Sequence, residues 1–208
     1  MSETTSKKRK FSLPLIVAGG VSSLVLALGM SPTFSAFTAQ IINSANTTGS
    51  GTLVMWEVDG ATTCKSSDTT IGAANSVTCA TINKYGGSTT MLPGIPTVAK
   101  TIKIWNKGSV AASTFSMNPG TCTPSAIGTP AGTAADLCTK MNVKITQGAN
   151  PTPIYNGPAG AIASTYALAP LAPNTSSDFT FVVTLFSTAD NTYQGLQISQ
   201  PITLNFQA

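Results

Sequence analysis

Asp178–Ser187, DFTFVVTLFS, decides the fold class. Phe179, Phe181, Val183 and Leu185 alternate there with Asp178, Thr180, Val182 and Thr184. A period of two sends one set of side chains into a core and the other away from it, which is the signature of a strand. Thr97–Asn106, TVAKTIKIWN, carries the same signal, with Val98, Lys100, Ile102 and Ile104 set against Thr97, Ala99, Thr101, Lys103 and Trp105. Met141–Gln147, MNVKITQ, places Val143 and Ile145 inward, and Gly51–Val58, GTLVMWEV, reads as a compact apolar strand. Leu196, Ile198, Ile202, Leu204 and Phe206 keep one parity to the C-terminus, as one long half-buried strand in which Pro201 marks an edge or a bulge.

Turn chemistry separates these runs. Asn106-Lys107-Gly108-Ser109 turns the chain into Val110–Met117, as a hairpin or a sheet-to-sheet corner. Segments 60–92, 118–140 and 148–176 are loop-rich, Thr188–Gln194 is a polar loop, and Ala159–Leu168 has the composition of a short helix. Strands of this number and spacing, without long helices, predict an all-β, two-sheet sandwich.

The N-terminus has a different character. Lys7, Lys8, Arg9 and Lys10 precede an uncharged apolar run, Phe11–Met30, and then Ser31-Pro32-Thr33. This is the layout of a secretory signal peptide. Thr33 and Ser35 supply the small residues at −3 and −1 for a cut before Ala36, whereas a cut after Ala36 would put Phe34 at −3. The alternative is an uncleaved anchor, since an apolar run of about 20 residues spans a bilayer. Cleavage divides the chain into a signal peptide (1–35), an N-terminal strand with a flexible joint (36–50) and the sandwich (51–208), with membrane contact only before the cut.

Removing the leader changes the charge. Residues 1–35 hold four of the eleven basic residues and one of the seven acidic ones, leaving seven against six. The remaining lysines are scattered and no arginine follows Ala36, so nothing resembles a phosphate-binding stripe and nucleic acid is not an expected partner. A mature chain of about 170 residues suits one domain.

Cys64, Cys79, Cys122 and Cys138 all lie in the exported part. Four cysteines in an oxidising compartment allow three connectivities. Cys64–Cys79 with Cys122–Cys138 is favoured, because each pair brackets a polar, small-residue stretch between better strand candidates. The spacings, without a CxxC or any histidine, argue against a metal site.

The absence of histidine also removes Ser-His-Asp, Cys-His and HExxH chemistry. Glu57 and Asp59 share a strand face and read as a solvated strand end rather than an acid/base pair, and Gly86-Gly87 reads as a turn. Trp56 and Trp105 read first as sheet packing and second as a sugar platform. No enzyme activity and no cofactor are expected.

Three segments carry a family resemblance. The junction Thr33–Leu53, TFSAFTAQIINSANTTGSGTL, resembles the signal-peptide boundary of the TasA/camelysin family of secreted, fibre-forming proteins, where a GTL-type first strand follows shortly after the cut. Met91–Met117, MLPGIPTVAKTIKIWNKGSVAASTFSM, resembles that family's LxPG turn, strand, N-x-G-S corner and next strand. Asn191–Ala208, NTYQGLQISQPITLNFQA, resembles its YQG-containing C-terminal strand. The four cysteines and the loop-rich middle depart from the family pattern.

The resemblance implies a jelly-roll sandwich, processed by a signal peptidase of the SipW type and secreted. It implies a homopolymer, an extracellular or surface filament of a biofilm matrix, in which each subunit donates its N-terminal strand head-to-tail to the next. The donor here would be Ala36–Thr48, with Phe37, Ala39 and Ile41 on one face and Ile42 on the other. The competing readings are that this segment is the first strand of its own sandwich or a disordered tail. The competing function is a monomeric secreted or membrane-tethered sandwich that binds carbohydrate or a surface.

Overall fold

A computed structural model describes residues 47–68, 75–129 and 132–208. The leader, the cleavage residues Thr33, Ser35 and Ala36, and the donor residues Phe37, Ala39, Ile41 and Ile42 lie outside the described residues. Eleven strands are described: β1 (Met55–Asp59), β2 (Thr62–Lys65), β3 (Lys100–Asn106), β4 (Thr114–Pro119), β5 (Thr123–Ala126), β6 (Met141–Gln147), β7 (Tyr155–Pro158), β8 (Tyr166–Leu168), β9 (Ser176–Leu185), β10 (Leu196–Ser199) and β11 (Ile202–Gln207).

One layer is a six-stranded antiparallel sheet in the order β2-β1-β3-β9-β6-β7. The other is the three-stranded sheet β11-β4-β8, with a two-stranded β10-β5 piece beyond it. The two pieces are near-continuous, because the amide of Gly120 donates to the carbonyl of Pro201 (2.7 Å) across the gap between them. The core lies between the layers. Ile102 and Ile104 of β3, Val143 and Ile145 of β6 and Phe179, Phe181 and Val183 of β9 meet Phe115 and Met117 of β4 and Leu168 of β8. Phe115 and Phe179 touch edge to face across the layers at 5.6 Å, the preferred geometry for two aromatic quadrupoles. The protein is an all-β sandwich.

The alternation in β3, β6 and β9 is realised as the sequence predicts, with Phe179, Phe181, Val183 and Leu185 all buried. Three expectations change. Val98 does not share the buried face of Ile102; it is 93% exposed. Lys100 pairs with Phe181 and Pro96 with Thr184, so three residues of one strand oppose two of the other. That extra residue is a β-bulge, and it breaks the parity on which the expectation for Val98 rested. The single C-terminal strand is two strands, interrupted at Gln200-Pro201, since a proline has no amide to continue a ladder. The expected strand Gly51–Val58 begins only at Met55, and Ala159–Leu168 holds one 3-10 turn (Ala159–Ala161) before β8.

The N-x-G-S motif is a corner between layers, not a hairpin. Asn106, fully buried, ends β3, and its side-chain amide donates to the carbonyls of Val110 (2.9 Å) and Leu171 (3.0 Å). Its side-chain oxygen accepts from the amide of Gly108 at 3.0 Å. A Cβ on Gly108 would lie 2.2 Å from the carbonyl oxygen of Thr52, so only glycine fits. The incoming chain is fastened here: Lys107 donates to Val54 (2.7 Å), Ser109 to Thr52 (2.8 Å), and the amide of Thr52 to the hydroxyl of Ser109 (2.9 Å).

Candidate functional site

The two flanks of the sandwich end differently. At one, β7 and β8 face each other and Tyr155 packs edge to face on Tyr166 at 6.0 Å. At the other, β10 and β11 are edge strands, each with a single strand neighbour among the described residues, β5 and β4 respectively. Leu196, Ile198, Ile202, Leu204 and Phe206 turn toward the core from this edge, yet all five remain only half-buried. Three of them, Leu196, Ile198 and Ile202, line a cavity of about 660 Å³. Its floor includes Leu137, Met141, Val183 and Leu185, and its outer wall is the loop from Cys79 to Pro93.

That loop faces β10 and the start of β11 across the cavity. Cys79 is joined to Cys64 of β2, which ties the loop's start to the edge of the first sheet. Ile82 is buried in the core cluster. Lys84 pairs with Glu57 of β1 at 2.5 Å, both side chains largely covered. Tyr85 donates to the side-chain oxygen of Gln200 at 2.6 Å, and the Gln200 amide donates to the carbonyls of Gly120 (2.8 Å) and Ala159 (3.2 Å). Burial, and secondarily the neighbouring Tyr155, push the Tyr85 hydroxyl well above its ordinary value. Gly86 and Gly87, at φ of 79° and 68°, then reverse the chain, as the Gly-Gly pair predicts.

No protein-family model matches the chain, and no curated protein matches it.

The second disulfide, Cys122–Cys138, joins the segment before β5 to the helical turn Leu137–Lys140 at the far end of the cavity. Both bonds are the pairs favoured from the sequence. Close by, Tyr193 donates to Asp136 at 2.8 Å, and that carboxylate raises the Tyr193 hydroxyl.

The cavity has an apolar floor and many polar groups around it. Glu57 and Asp59 are not a solvated strand end; they lie on the inner face of β1 and pair with Lys84 and with Lys100 (2.6 Å), so neither is placed as a free acid or base. Among the described residues no three of His, Cys, Asp and Glu cluster as metal ligands. An apolar wall next to an unpaired strand edge can hold an extended peptide, because the edge supplies main-chain partners and the wall accepts alternate side chains.

Sequence reasoning missed Lys84, Tyr85 and Gln200. The Tyr85–Gln200 contact joins residues 115 positions apart, and a polar loop carries no periodicity to announce it. Pro201, read as an edge or a bulge, was the signal nearest to this site.

Proposed function

We propose that the chain is the structural subunit of an extracellular filament, in which Ala36–Thr48 of one copy lies along the open edge of β10 and β11 in the next. One observation carries this reading: Leu196, Ile198 and Ile202, from a half-buried inward apolar row that continues to Leu204 and Phe206, line a cavity of about 660 Å³ on an edge with no strand beyond it among the described residues. The alternation of Phe37, Ala39 and Ile41 gives the incoming segment a matching apolar face. A head-to-tail contact of this kind does not close on itself, so it grows. The two disulfides suit an oxidising, extracellular setting. The leader gives a route out of the cell, and the resemblance to the TasA/camelysin family points to a SipW-type peptidase as the enzyme that frees Ala36. The role is non-catalytic and needs no cofactor.

Negative-stain microscopy of the mature chain, beside a chain lacking Ala36–Thr48, tests the reading. Filaments are expected from the first and none from the second; undiminished filaments after the deletion would sink the donor role. Ile198→Lys, which sets a charge in the apolar row, is expected to leave a folded monomer. A strictly monomeric mature chain would instead favour the surface-binding module.

A further inference from the structure

The outer face of the six-stranded sheet, away from the cavity and the core, carries a second constellation. Trp56 of β1 stands opposite Trp105 of β3, and Lys65 of β2 stands opposite Trp56 on its other side. Ile104 and Asn106 point into the core, so Trp105 and its cross-strand partner point out. The ammonium of Lys107 sits 3.9 Å from the centre of the Trp105 ring and 5.6 Å from that of Trp56. Lys65 lies 5.1 Å from Trp56, and Lys103 6.0 Å from Trp105. Both indoles are half-buried rather than sealed.

Charge is sorted between the two faces of this sheet. Of the seven lysines after Ala36, Lys65, Lys103, Lys107 and the exposed Lys144 of β6 are on the outer side. Lys84 and Lys100 are paired with Glu57 and Asp59 on the inner side. The outer face holds one carboxylate, Asp178, at 3.4 Å from Lys103, with Asp68 at the turn beyond β2 accepting the Lys65 amide. Beside Val58 and Val182, hydroxyl and amide side chains also stand on this face: Thr101 opposite Thr180, and Asn142 bonded to Asn156.

We propose that this face binds an acidic polysaccharide of the uronate class. Indole faces stack on the C–H faces of pyranose rings, ammonium groups at their edges take carboxylates, and the threonine and asparagine rows meet ring hydroxyls. Successive strands, about 4.8 Å apart, set the lysine and the two indoles in a line across the sheet. Single-stranded nucleic acid uses the same stacking and charge, on open sheets as well as in grooves, and the kind of cation present is what disfavours it here. Arginine, the residue matched to phosphate by its two-pronged geometry, is absent after Arg9.

Tryptophan fluorescence and affinity electrophoresis with polygalacturonate, dextran and oligo-dT test the assignment on the mature chain. Polygalacturonate is expected to shift the fluorescence and retard the protein, less so as salt rises, while dextran does neither. The triple variant Lys65→Gln, Lys103→Gln, Lys107→Gln is expected to bind about tenfold more weakly, and Trp105→Phe to weaken binding at unchanged charge. An unchanged signal with polygalacturonate, equal binding to dextran, tighter binding to oligo-dT, or a folded triple variant that binds normally would each overturn it. If the triple variant fails to fold, salt-independent binding by the unaltered chain overturns it instead.

Discussion

β9 and the β10–β11 edge carry the same alternation in sequence and end in different states. β9 lies between β3 and β6, and Phe179, Phe181, Val183 and Leu185 are sealed. Among the described residues β10 and β11 have strand neighbours on one side only, and their apolar row is half-buried. Periodicity therefore reports which way side chains face; whether they are covered is decided by what lies alongside, and a loop is a poorer cover than a strand.

Paired truncations should expose this difference most strongly. Phe179→Ala is expected to destabilise the mature monomer by about 4 kcal/mol, and Leu204→Ala by only about 1–2 kcal/mol because Leu204 is not sealed from water, as read by urea unfolding. Equal costs would mean that the open flank is as well packed as the centre. Next in size is the Cys64–Cys79 bond. Replacing both cysteines with serine is expected to cost about 3 kcal/mol on the loop-closure argument. It should speed hydrogen exchange in β10 and β11 while β9 stays protected, since the bond holds the loop that walls the cavity. A uniform rise in exchange would break the comparison.

Asn106→Ala acts on neither flank alone. It leaves the buried carbonyls of Val110 and Leu171 without the side-chain donor, and about 2 kcal/mol is expected, with both flanks loosened together.

The smallest effect belongs to Tyr85→Phe, about 1 kcal/mol for its hydrogen bond to Gln200. It also has a pH signature. A folded-state value raised above the unfolded tyrosine's means that the folded chain holds this proton longer, so the contribution is complete below about pH 10 and is lost as pH rises beyond it. Tyr85→Phe should flatten that alkaline slope, measured as melting temperature against pH. With no histidine in the chain, melting temperature is expected to vary little between about pH 6 and 9.

The residues explain why some of this was legible and some was not. β3, β6 and β9 are buried on one face along their length, so alternation writes them into the sequence. β2, β5, β7 and β8 are three or four residues each, with Pro124, Gly157 and Pro158 among them, and such short edge strands have no room for a period. The disulfide pairs were readable from spacing and compartment. The bulge before β3 was not, because one inserted residue changes no composition. The cavity was unreadable for a similar reason: it is made by what the Cys79–Pro93 loop leaves uncovered, through contacts far apart in the chain.

The corner at Asn106–Ser109 has a mechanical consequence. The chain entering at Thr52 is bonded there before it reaches β1, through the amides of Lys107 and Ser109 and the hydroxyl of Ser109. Any pull on the residues ahead of Gly51 reaches the sandwich first through this short set of bonds, which share the load beside a glycine that allows no gap. The corner is thus a strain relief: tension from the N-terminal side is taken up by the Asn106-bonded junction of the two layers, and the sheet edges bear it last.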